Sequence, residues 1–281
     1  MKQKSIILTF FISIITLHAQ VNFDIDQGKT NSGFINNISS DATSFYKTSL
    51  DFVQSPFHFG SKDFLTTGII TGVTALAFTL DNPIRNAMKK NHSSTMDNLT
   101  NAGEKLGAAQ YGLALSGALY LSGQIVQEPG LRKTGLMLAE ALFLNGITTG
   151  VLKVVIGRSR PYGNDGNTDF DFLRLDDEDN SLPSGHTSTA FTIATVLSQR
   201  IDNTYATIAL YSFAGLTAVQ RIYADKHWFS DVILGAAIGT IVGLKVVNLN
   251  SEYDDQESSV KMNVYPVFSN GSYGAGLMLS F

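Results

Sequence analysis

Three short clusters in this 281-residue chain set cations, imidazoles and a carboxylate at fixed spacings. The first is Lys153, six residues, then Arg160-Pro161; the second is Pro183-Ser184-Gly185-His186; the third is Arg221, five residues, His227, three residues, Asp231. Two cations held together beside an apolar segment are costly unless an anion joins them. A phosphate suits the first pair, with Arg supplying a planar fork and Lys a point charge. Ser184 is a good N-cap, Gly185 lets the backbone approach a ligand, and the free N–H groups of a helix starting there face an anion. His186, in the first turn of that helix, is placed to give a proton to a leaving oxygen. His227 and Asp231 stand four residues apart and share a helix face. A carboxylate bonded to one ring nitrogen fixes the tautomer and leaves the other nitrogen free to attack. Arg221 adds a further phosphate donor, while Arg158 and Lys226 read as electrostatic background. Singly, each cluster is ordinary: a solvated cap, a satisfied polar histidine, a surface His/Asp pair. Their fixed order, each at the edge of an apolar helix, is not.

The elements that must position these clusters are six apolar segments separated by turn signals: residues 64–80, 106–126, 134–156, the run after Pro183-Ser184-Gly185 as far as Arg200, 205–219 and 228–247. Asp81-Asn82-Pro83 closes the first, Glu128-Pro129-Gly130 follows the second and Gly157 closes the third. Each segment is long enough for a helix and too long for a buried strand. Scattered Gly, Ala, Ser and Thr permit close helix–helix approach in water or lipid. The expected fold is therefore an all-α bundle of six helices. One more short amphipathic helix is expected near residues 41–53.

The remainder bounds the function. Net charge is -4 and the isoelectric point near 5.7, which makes nucleic acid a poor partner. There is no cysteine, so disulfides, thiolate metal sites and a catalytic thiol are excluded. Charged residues make up 16% and hydrophobic ones 44%, enough for a thick helical core. Residues 1–19 read as a signal peptide, with a basic start, an apolar run and Ala19 before the cleavage point. The expected organisation is that signal, a polar N-terminal extension over 20–60, a helical domain over 61–250, and a tail over 251–281. In the tail, alternation on both sides of Ser269-Asn270-Gly271-Ser272 predicts a short C-terminal β-hairpin. Residues 164–181 form an acidic loop read as a solvated connection.

The three clusters together resemble the signature of the type 2 phosphatidic acid phosphatase and vanadium haloperoxidase superfamily, K-x6-R-P, P-S-G-H and S-R-x5-H-x3-D. The resemblance spans roughly residues 64–248, with Gln220 where the family usually has Ser. It implies the acid phosphatase/haloperoxidase type of helical bundle and a phosphatase working through a phosphohistidine. His227 would be the nucleophile, Asp231 its orienting carboxylate, and His186 the acid toward the leaving alcohol and then the base toward water. Lys153, Arg160 and Arg221, with backbone N–H groups near Ser184 and Gly185, would bind phosphate. It implies no cofactor and no metal, with vanadate as an inhibitor.

The expected substrate is a phosphorylated lipid or a small phosphomonoester, a lipid (pyro)phosphate being preferred. A soluble nonspecific acid phosphatase, a vanadate-dependent haloperoxidase and an inactive binding or structural bundle are the alternatives. The expected location is exported, either periplasmic or on a membrane surface facing the periplasm; an integral membrane protein is the alternative. The first segment is short for a span and the fourth is rich in Ser and Thr, which favours a bundle that does not fully cross.

Overall fold

In the computed structural model, residues 30–93, 97, 103–105, 107–175, 180–251, 261–269 and 272–280 are described. The region read as a signal peptide lies outside them, as do residues 176–179 of the acidic loop. The chain divides into two compact units, Met1–Ser40 and Asp41–Phe281, and the second holds all three clusters. In chain order the helices are α1 (Thr30–Gln54), α2 (Ser61–Phe78), α3 (Asp81–Lys90), α4 (Ala109–Ile125), α5 (Pro129–Ile156), α6 (Gly185–Ile201), α7 (Thr204–Tyr223) and α8 (Phe229–Ser251). Strands β1 (Lys261–Ser269) and β2 (Ser272–Ser280) pair antiparallel, Lys261 opposite Ser280.

The fold is all-α in character, and each of the six apolar segments is a helix. Beside them stand α1, which contains the short helix expected over 41–53 and is 25 residues long, and α3, which goes beyond the expected helices. Asp81-Asn82-Pro83 starts a helix rather than only stopping one. Pro83 falls in the first turn of α3, where its missing N–H and fixed φ cost nothing. Helices α2 and α3 meet at a bend of 52°. That bend brings Asp81 into the interior, where it is buried.

Helix α5 runs through the centre. Its Met137, Leu138, Ala141, Leu142 and Leu144 form one core cluster with Val196 of α6 and Val242 and Val246 of α8. Ala190 and Ala194 of α6 pack with Ala214 of α7 in a second. Helices α6 and α8 approach closely because α8 is bare along one stripe. A Cβ on Gly239 would lie 2.2 Å from the Ser188 carbonyl oxygen, and one on Gly235 would lie 2.6 Å from that of Ser184. Gly235 thus lets the start of α8 press against the Pro183-Ser184-Gly185 turn.

The outward faces are apolar as well. Phe64, Leu65, Ile69, Val73 and Leu76 of α2 are all exposed, as are Phe143, Ile147, Val151 and Val155 of α5. Contiguous apolar surface of this kind marks contact with a membrane or a partner. Helices α5 and α8 are long and apolar enough to cross a membrane, and α2 with α3 passes the same test as a bent pair.

Candidate active site

The C-terminal end of α5 presents the first cluster. Gly157 caps the helix in the left-handed region at φ 60°, with its N–H on the Lys153 carbonyl at 2.8 Å. A side chain there would meet the Asp171 carbonyl oxygen at 1.7 Å, so glycine is required both by conformation and by space. Lys153 is buried, and its Nζ donates to the Asn180 carbonyl at 2.7 Å. Its stem passes the start of α6, since a Cβ on Gly185 would touch Lys153 Cε at 3.9 Å. Arg160 precedes the 3-10 turn Pro161–Gly163. From α3, Arg85 donates to the Pro161 carbonyl and pairs with Asp225 at 2.6 Å. It thereby ties the loop after α5 to the loop before α8.

The described part of the acidic loop exposes Asp165, Asp169 and Asp171 to solvent, as expected, but its backbone is tied down. The Asp171 N–H donates to Gly157 O at 2.8 Å, Ser159 N–H to Asp169 O at 3.1 Å and Ser181 N–H to Arg158 O at 2.7 Å. Phe170 also stacks on Phe78, with ring centroids 6.0 Å apart. The loop is folded back on the segment that carries Arg160.

Helix α6 presents the second cluster, after a cis Leu182–Pro183 bond. Ser184 is the N-cap residue, as its type suggests. Its groups are already engaged, which corrects the expectation of an anion-facing amide at this position. The Ser184 N–H donates to the Asp231 carbonyl at 3.0 Å, and its Oγ shares a hydrogen bond with Thr187 Oγ1 at 2.9 Å. By helix geometry the orphan donors of α6 begin at Gly185.

His227 is buried just before α8, and its Nδ1 lies 2.8 Å from the Ser181 carbonyl oxygen. A carbonyl only accepts, so Nδ1 carries the proton and Nε2 keeps its lone pair. The tautomer is therefore fixed, but chiefly by Ser181. Asp231 Oδ2 stands 3.6 Å from the same nitrogen. The Asp231 carboxylate takes the Trp228 N–H at 2.8 Å and Arg158 Nη1 at 2.6 Å. Burial pulls the His227 imidazole down from 6.5 to about 4; Asp231 opposes this, and Arg160 and Lys153 reinforce it. His186 is likewise lowered to about 4 by burial and then by Arg221, with Glu104 opposing and Arg160 and Lys153 adding to the effect. The charges of Lys153 and Arg160 act on both imidazoles.

Arg221, in the last turn of α7, is buried; its Nε donates to Gln220 and its Nη2 lies 3.1 Å from Glu104 Oε1. Gln220, the departure from the family pattern, thus orients the arginine beside it. Glu104, Ser181, Arg158 and Asp81 escaped the sequence reading. Arg158, read as background, is fully buried and salt-bridged to both Asp81 and Asp231 at 2.6 Å.

Residues 134–253 match the family described as the PAP2 superfamily. The chain is 43% identical over 83 residues to a lipid A 1-phosphatase of Porphyromonas gingivalis, covering 28% of this chain and 19% of that protein. It is 37% identical over 60 residues to a lipid A 4'-phosphatase of the same organism, covering 21% of this chain and 25% of that protein. A PA-phosphatase related-family protein of Dictyostelium discoideum is 29% identical over 149 residues, 47% of this chain and 55% of that one. The matches thus span between 19% and 55% of these relatives' lengths. In fold, the chain is similar to a transmembrane PAP2-type phosphatidylglycerolphosphate phosphatase from Bacillus subtilis. The TM-score is 0.54 at 20% identity, covering 69% of this chain and 98% of that one.

Proposed function

We propose that this chain, whose residues 134–253 match the PAP2 superfamily, is a membrane-associated phosphatase that hydrolyses a lipid phosphate or pyrophosphate through a phosphohistidine at His227. The observation that carries the reading is the His227 ring: its Nδ1–H is held by the Ser181 carbonyl at 2.8 Å, which leaves Nε2 its lone pair, and the charges of Arg160 and Lys153 act on the ring. In the first step Nε2 attacks phosphorus, the P–O bond to the lipid breaks, and His186 gives its proton to the departing oxygen. In the second, His186 removes a proton from water, the new P–O bond forms, and the P–N bond breaks to release phosphate and restore His227. Lys153, Arg160, Arg221 and the first amides of α6 hold the equatorial oxygens, so positioning and charge do most of the work. These cations take the role that a metal plays elsewhere. Orthovanadate, which mimics the five-coordinate phosphorus, is expected to compete with substrate, and a chelator is expected to leave the rate unchanged.

The apolar exterior of α2 and α5 and the lipid A phosphatases among the relatives favour a lipid as substrate. The test compares lipid A, phosphatidate, phosphatidylglycerophosphate and undecaprenyl pyrophosphate in mixed micelles with small phosphomonoesters. A kcat/KM at least about tenfold higher for one of the lipids supports the lipid reading. Equal or better turnover of the small esters contradicts it in favour of a general acid phosphatase.

A further inference from the structure

Arg158 has carboxylates on two sides and spends every N–H. Nη1 donates to Asp231 Oδ1 at 2.6 Å and to Ser230 Oγ at 2.8 Å. Nη2 donates to Asp81 Oδ2 at 2.6 Å, and both Nη2 and Nε reach the Asn167 carbonyl, at 2.7 and 3.0 Å. Phe78 closes the remaining face, its ring centroid 3.9 Å from the guanidinium carbon. Asp81 lies at the α2–α3 bend and reaches across to α8. It accepts the Ser230 N–H at 2.8 Å and the Ser230 hydroxyl at 2.9 Å. It therefore supplies from another helix the negative cap that the start of α8 needs.

The charges in this buried group do not balance. Asp81 and Asp231 bring two negative charges and Arg158 one positive. A buried residual charge is unfavourable until a counter-charge arrives. His227 becomes that counter-charge when Nε2 binds phosphorus, because Nδ1 keeps its proton and the ring turns cationic. We infer that Asp81 is a positioning residue for catalysis: by sharing Arg158, it leaves Asp231 with uncompensated negative charge that stabilises the His227 cation of the phosphoenzyme. Without Asp81, Arg158 neutralises Asp231 alone. This rests on the phosphohistidine reading above.

The test uses the full chain in detergent micelles. The charged groups facing His227 are Asp231, Arg160 and Lys153, with Arg158 and Asp81 behind Asp231. Asp81→Asn is expected to lower kcat about tenfold or more with KM within about twofold. It should also move the acid limb of kcat/KM, which reports His227, to lower pH. Asp81→Ser keeps a capping oxygen without the charge and should do the same. Wild-type kcat with an unmoved limb in either variant overturns the inference. So does a loss of folded protein from both, which would assign Asp81 to the scaffold. His227→Ala is measured alongside: activity surviving in that variant removes the phosphohistidine reading itself. An active Asp81→Asn beside a dead His227→Ala removes only the role given to Asp81.

Discussion

At the scale of single residues, the site works by keeping imidazoles neutral among cations. His186 is pulled down to about 4 by burial and by Arg221, Arg160 and Lys153. A neutral imidazole is a poor donor to a leaving group, so the proposed acid role of His186 requires the bound phosphate to supply the missing proton affinity. Its negative charge screens the same cations, and the pKa of His186 should rise when it binds. Titrating the ring signals by NMR with and without vanadate should show the His186 midpoint move up by about one unit or more; an unmoved midpoint would mean that His186 is not the acid. Under the proposed mechanism Arg221 donates to phosphate, so Arg221→Ala should cut kcat/KM by about tenfold to a hundredfold, measured on the preferred substrate. Lys153, Arg160, His186, Arg221, His227 and Asp231 stand out as candidates from type and spacing, and the charges of Lys153 and Arg160 act on both imidazoles. Ser181 does not stand out, because its contribution is a backbone carbonyl, and any residue type offers one. Asp81 does not either, because its partners Arg158 and Ser230 lie far along the chain and meet it only through the bend at the end of α2.

At the scale of elements, the glycines of α8 set how closely the site's parts meet. Gly239→Ala would place a Cβ 2.2 Å from the Ser188 carbonyl oxygen. Such overpacking should destabilise by about 1–3 kcal/mol and disturb the start of α6. Gly146→Ala in α5 is the control, since a Cβ there meets nothing within 4 Å. It should be neutral, or stabilising by up to about 1 kcal/mol through helix propensity. Thermal melts of both variants in detergent check the pair; equal destabilisation would deny that α6–α8 contact is the constraint. Helix ends were read well where a local signal marks them. Gly157 stops α5 as expected because its left-handed φ and lack of side chain are both needed. Asp81-Asn82-Pro83 was half read: a proline in a first turn looks from sequence like a stop, and only the neighbouring helices decide that the chain continues as α3. The acidic loop does turn Asp165, Asp169 and Asp171 to solvent, as its charges suggest; what its composition does not show is that its backbone and Phe170 fasten it to residues 157–159 and to Phe78.

At the scale of the whole molecule, apolar residues cover both the interior and much of the exterior, and composition cannot separate the two. The short first segment and the Ser/Thr-rich fourth favour a bundle that does not fully cross a membrane. The exposed rows of α2 and α5 place an apolar surface outside, where a membrane would meet it. The chain should sediment with membranes, resist a high-salt wash and come off in detergent; release by salt would mean that only charge holds it there. Acid should destabilise the folded chain through both histidines. Their folded values near 4 lie below the ordinary 6.5, so the unfolded chain takes up protons first. Their contribution is full above pH about 6.5 and is lost as pH falls toward about 4. The most direct measurement is the site of phosphoryl transfer: labelled substrate, quenched in alkali during turnover, followed by peptide mapping. The label is expected on His227, absent from His227→Ala, and longer-lived in His186→Ala with a good leaving group. Label on another residue, or undiminished turnover in His227→Ala, would contradict the account.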